Sequence, residues 1–154
     1  MRMKDQNILI TGAGRSIGRA CAERFAEEGA NIAIIDVLEE LGEKAAADIA
    51  REYDVKTAFY NCDVGIKTEV DSTVDQVVAD FGHIDVLVSN AGIQRRYDFL
   101  DLPEEVFDEV IQTNLKSIYL FGQKVGKHMV ERGQGGRIVN IASTSVRMTM
   151  PGIS

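Results

Sequence analysis

Five short runs rich in β-branched residues punctuate the chain: NILIT (Asn7 to Thr11), NIAII (Asn31 to Ile35), TAFYN (Thr57 to Asn61), DVLVS (Asp85 to Ser89) and RIVNIA (Arg137 to Ala142). Each has the length and content of a buried strand. Between them lie longer segments with helical spacing. Val70, Val74, Val77, Val78 and Phe81 fall on one helical face. Residues Glu39 to Tyr53 place Leu41, Ala45, Ile49 and Tyr53 four apart, with Glu40 and Lys44 as a solvent-side pair. A further helix is expected after Pro103, and a long one through Lys116 to about Arg132, closed by the glycine-rich GQGG. Apolar strands that alternate with helices from end to end predict a parallel sheet covered on both faces, the doubly wound α/β Rossmann architecture. Residues 1–154 read as one such domain, with five strands visible.

With 154 residues and 45% hydrophobic content, the chain can bury a sizeable core without disulfides. Cys21 and Cys62 lack a CxxC partner or neighbouring metal ligands and are expected as reduced, buried thiols. A net charge of -7 argues against nucleic acid or an anionic membrane as partner. No window has the apolar length of a signal peptide or a spanning helix, so a soluble cytoplasmic protein is expected. His83 falls in a turn and His128 near a helix C-terminus, where positive charge suits the helix dipole. Neither has a second ligand nearby, so no metal site is expected.

The chemistry begins at TGAGRSIGRA, directly after the first run. Gly12, Gly14 and Gly18 lie in a turn that enters a helix near Ile17. Glycines let backbone approach a pyrophosphate, and a helix N-terminus offers amide donors and a favourable dipole. Asp36 closes the second run, 24 residues beyond Gly12. An acid there can accept hydrogen bonds from ribose hydroxyls and repel a 2'-phosphate; its plainer role is a strand-end or capping aspartate. Arg15 would suit a 2'-phosphate, but Val37 supplies no second basic residue, so NAD is expected over NADP. CDV (Cys62, Asp63, Val64) and NAG (Asn90, Ala91, Gly92) end the third and fourth runs, on the edge of the sheet where ligands bind in this architecture.

Together TGAGRSIG, Asp36, CDV, NAG, the Asn114 of NLKS and the strand RIVNIAS resemble the short-chain dehydrogenase/reductase family, over the whole length and in order. Ser16 stands where that family usually carries its second glycine, and its hydroxyl can donate to a phosphate. The resemblance implies hydride transfer between a nicotinamide and an alcohol or carbonyl carbon. It places Gly12, Arg15, Ser16, Ile17 and Gly18 at the cofactor's phosphates, Asp63 and Val64 at its adenine, and Asn90, Ala91 and Gly92 along its ribose side. Ser143 matches the serine that hydrogen-bonds the substrate oxygen, and Asn114 the asparagine that supports a proton-relay water. Read without the resemblance, both are ordinary hydroxyl and amide groups satisfying local backbone.

The resemblance also implies a tyrosine about a dozen residues after Ser143, with a lysine one helical turn later. Tyr53, Tyr60, Tyr97 and Tyr119 do not stand in that YxxxK pattern. The sequence is therefore expected to be the N-terminal part of a longer enzyme, a homodimer or homotetramer, and inactive as it stands. Arg95, in IQRRY, is a candidate for a substrate carboxylate, with a solvent-exposed loop charge as the alternative. AGIQRR and GGRIVNIAS are similar to the gluconate 5-dehydrogenase and 2-deoxygluconate 3-dehydrogenase branch, which implies a sugar-acid or polyol substrate. An acyl-carrier-protein ketoreductase, an S-adenosylmethionine methyltransferase and a non-catalytic nucleotide-binding module remain as other readings.

Overall fold

A computed structural model of the chain describes residues 1–143. The loop read from residues 144–154 lies outside the described residues. In order, the elements are β1 (Asn7–Thr11), α1 (Ser16–Glu27), β2 (Asn31–Asp36), α2 (Glu39–Tyr53), β3 (Thr57–Asn61), α3 (Lys67–Phe81), β4 (Val86–Ser89), α4 (Glu104–Ile111), α5 (Ser117–Arg132) and β5 (Arg137–Asn140). The strands form one parallel sheet in the order β3-β2-β1-β4-β5. β1 and β3 have the limits expected from their apolar runs. β5 stops two residues short of Ala142, as the chain peels away from β4 after Ile141 donates its amide to the Ser89 carbonyl.

Strand side chains alternate between two layers, as the pleat requires. Leu9, Ala33, Ile35 and Leu87 face Val70, Val74 and Val77 of α3 and Leu120, Phe121 and Val125 of α5. Ile8, Ile10, Ile32, Ile34, Val86 and Val88 face Ala22 and Ala26 of α1 and Ala45, Ala46 and Ile49 of α2. The helices of the second layer present mostly alanine and glycine to the sheet. A Cβ on Gly42 would sit 2.1 Å from the Phe59 ring. Leu41, expected on that buried face, is exposed instead, and Lys44 pairs not with Glu40 but with Asp48 at 2.7 Å. Asp48 also takes Arg19 at 3.0 Å, which ties α1 to α2.

The amino edge of the sheet is closed by polar contacts. The Asn7 side chain donates to the Phe81 and His83 carbonyls, both at 3.0 Å. Asp85 accepts from the Asn7 amide and from Arg132, each at 2.9 Å. His128 is not the dipole-matched cation expected of a helix end: its Nε2 accepts the Ile84 amide at 3.3 Å, and burial lowers its pKa. Cys62 is fully buried and Cys21 half-buried, both as free thiols. No helix among the described residues is long and apolar enough to cross a membrane, and no group of three metal-ligating side chains occurs among them.

Candidate functional site

β1 leads through α1 to β2 on one side, whereas β4 lies on its other side, so the strand order reverses between β1 and β4. A crevice must open at that reversal, outside the carboxyl ends of the strands. There the structure has a cleft of about 540 Å³. Its floor is the glycine turn. Gly12 has φ of +64°, and a Cβ on it would lie 2.8 Å from the Ala91 Cα. Gly18, in the first turn of α1, is more constrained still, since a Cβ would lie 2.2 Å from the Gly12 carbonyl oxygen. Ser16 takes φ of +50°, the left-handed conformation that glycine adopts without strain. The first turn of α1 carries no acidic side chain, and Arg15 at its N-cap makes no side-chain cap bond. Amide donors at that end are left for an anion.

Asp36 is 8% exposed at the end of β2. Its Oδ2 accepts the Gly14 amide at 2.9 Å and its Oδ1 the Leu38 amide at 3.0 Å. These bonds fix the carboxylate against the cleft wall and leave lone pairs for hydroxyl donors. They also give Gly14 its purpose: a Cβ there would lie 3.0 Å from Asp36 Oδ2.

On the β4 side, Asn90 turns its side-chain amide toward the glycine turn, donating to the carbonyls of Thr11 and Gly12 at 3.0 Å each. The Thr11 hydroxyl accepts the amides of Asn90 and Ala91, also at 3.0 Å. Thr11 and Asn90 thus lock the ends of β1 and β4 together. Asp63 accepts the Gly65 amide at 2.8 Å in a tight turn, while its own amide is taken by Glu69 at 2.8 Å. Beside it, burial pushes the Cys62 thiol up to about 11, which keeps it neutral.

Between α4 and α5 the helix widens into a π turn, Gln112–Lys116, a device frequent at functional sites. Asn114 projects from it and bonds reciprocally to Ile93: Oδ1 accepts the Ile93 amide at 2.8 Å and Nδ2 donates to its carbonyl at 2.9 Å. The loop after Gly92 is thereby tied to the helix. Arg95 is held in a fork by Glu109 of α4, with Nε on Oε2 at 3.0 Å and Nη2 on Oε1. Glu109 and Thr113 line the cleft with Arg95.

Of the residues expected at the site, Gly12, Arg15, Ser16, Ile17, Asp36, Asp63, Val64, Asn90, Ala91, Gly92 and Arg95 all line this cleft. Among the described residues, Gly18, Asn114 and Ser143 stand outside its lining. Ser143 lies three residues past the end of β5 on the same edge of the sheet. Thr11 and Glu109 escaped the reading of the sequence. Thr11 had a signal, a polar residue ending an apolar strand; Glu109 had none, since its partner is fourteen residues away across a loop.

Residues 6–154 match the family model described as short chain dehydrogenase. The chain belongs to the short-chain dehydrogenase family. Among its relatives in this family, 5-keto-D-gluconate 5-reductase of Escherichia coli (strain K12) is 40% identical over 138 residues, 90% of this chain and 54% of that protein. Short-chain dehydrogenase reductase 3c of Arabidopsis thaliana is 37% identical over 149 residues, 96% of this chain and 57% of that protein. The chain spans a little over half the length of these relatives. Among solved structures, an NAD+-bound xylitol dehydrogenase superposes with a TM-score of 0.93 at 38% identity, covering 99% of this chain and 58% of the other. A levodione reductase does so with a TM-score of 0.93 at 34% identity, covering 99% and 60%.

Proposed function

We propose that this short-chain dehydrogenase carries the cofactor half of an NAD-dependent oxidoreductase acting on a secondary alcohol or ketone of a sugar acid or polyol. The observation that carries the reading is Asp36, a buried carboxylate fixed by two backbone amides on the wall of the cleft. Its charge favours two ribose hydroxyls and opposes a 2'-phosphate. The site fits a dinucleotide in its other parts as well. The Gly12 and Gly18 backbone has no room for a side chain, the start of α1 has no acidic group, and Ser16 offers a hydroxyl to a phosphate. Asp63 and Val64 would meet the adenine, and Asn90, Ala91 and Gly92 the ribose side. The bound nicotinamide would supply the hydride acceptor or donor.

This chain's residues then bind and orient. Ser143 would donate a hydrogen bond to the substrate oxygen as charge develops on it. Asn114, by holding Ile93 and the π turn, would support a proton-relay water, and Arg95 would meet the polar end of the substrate. The names of the gluconate and xylitol enzymes support the substrate class. Free cysteines support a reducing cytoplasmic setting. Exposed Phe99, Leu100, Phe107, Leu115 and Tyr119 support a homodimer or homotetramer.

Titration of the protein with NADH and NADPH tests the central point. NADH is expected to bind at least about tenfold more tightly, and Asp36→Ala to erase that preference. Equal affinities in the wild type would remove Asp36 from the ribose role.

A further inference from the structure

We propose that Glu109 selects substrates by charge: it competes with a substrate carboxylate for Arg95, and so favours uncharged polyols over sugar acids. The proposal rests on the substrate reading just given and assigns a specificity-determining role within it. Both side chains line the cleft, with Arg95 39% and Glu109 46% exposed. Glu109 occupies the Nε/Nη2 edge of the guanidinium, the edge best suited to grip a carboxylate with two parallel bonds. Nη1 reaches the Gln94 carbonyl at 3.3 Å. Of the five N–H donors on an arginine, those contacts leave one on Nη1 and one on Nη2.

A substrate carboxylate therefore has two routes. It can displace Glu109, which leaves that carboxylate without its partner, or it can take the remaining end of the guanidinium and share one cation with a second anion. Both routes carry a charge penalty that a hydroxyl group does not meet. The rest of the cleft does not offset it, because outside this pair one arginine, Arg15, faces two carboxylates, Asp36 and Asp63.

The test compares D-gluconate with xylitol as substrates of the intact protein with NAD+. Glu109→Gln removes the competing charge and keeps a side chain of the same size. It is expected to lower the KM for gluconate relative to that for xylitol by about fivefold, the upper range for releasing a partly exposed ion pair. Adding Arg95→Gln should abolish that gain, which separates competition for Arg95 from a general change in cleft charge. An unchanged ratio, or KM values that rise together as a merely structural role would make them, overturns the proposal. None of the tyrosines of residues 1–154 stands in a YxxxK pattern, so absence of turnover does not bear on the proposal and binding is read in its place. Binding of neither compound overturns the substrate reading instead. Calorimetric titration of both compounds into wild type and Glu109→Gln then decides the role of Glu109 by the same ratio.

Discussion

Ser16 holds a non-glycine side chain at φ of +50° at the mouth of α1, between two glycines with no room for a side chain. Gly12 behind it is fixed by its approach to Ala91, and Gly18 ahead by the Gly12 carbonyl. A left-handed residue with a Cβ costs on the order of 1 kcal/mol, and glycine is relieved of it. Ser16→Gly is therefore expected to raise stability by up to about 1 kcal/mol, read as a higher urea midpoint. Ser16→Val, β-branched, should lower the midpoint. If Ser16→Gly also weakens NADH binding, the hydroxyl contributes to the phosphate site; unchanged binding would confine the serine to the backbone. The choice of Ser16 as the departure from the family glycine was visible in the sequence. That it takes the left-handed conformation was not, because a backbone dihedral in such a turn is settled by the folded loop rather than by residue type alone.

Strands and helices were legible to different depths. β1 and β3 could be placed to the residue because a short apolar run has few ways to lie in a two-faced sheet. The extent of α2 follows from its sequence, but its buried face does not include Leu41: a spacing of four drifts around a helix, and Gly42 meets the sheet because Phe59 fills the space beside it. The π turn at Gln112–Lys116 left no pattern in the sequence, since one inserted residue changes the period only locally. Its purpose is seen at Asn114, whose amide satisfies both backbone groups of Ile93. Asn114→Asp loses the donor to the Ile93 carbonyl and sets a carboxylate against it. A stability loss of about 1–3 kcal/mol is expected, measured by urea denaturation. An unchanged urea midpoint would mean that the Ile93 carbonyl is satisfied by other contacts.

At the scale of the molecule, alternation of strand and helix disclosed the class of fold, but not the order of the sheet. The reversal between β1 and β4, on which the cleft depends, arises from long-range pairing. The sheet has two unlike edges: the carboxyl edge opens into the cleft, while the amino edge is closed by Asn7, Asp85, Arg132 and His128. That closed edge makes stability depend on pH. Burial lowers the His128 pKa, with the nearby Arg132 and His83 charges acting in the same direction and Glu131 and Asp85 opposing them. Below the ordinary value of 6.5 the unfolded chain thus binds a proton that the folded chain refuses, so stability is complete above that pH and falls as pH drops through it. Burial raises the Asp85 pKa, but the Asn7 amide and Arg132 outweigh it and hold the carboxyl below its ordinary 3.8. Its contribution is present above that value and is lost as pH falls further. The urea midpoint is expected to be level from pH 8 to about 7, to decline toward pH 5, and to decline again below about pH 4. His128→Gln cannot take up a proton and retains an acceptor for the Ile84 amide, so it should flatten the first decline and leave the second. A first decline of the same depth in His128→Gln would place its origin elsewhere than the Ile84–His128 contact.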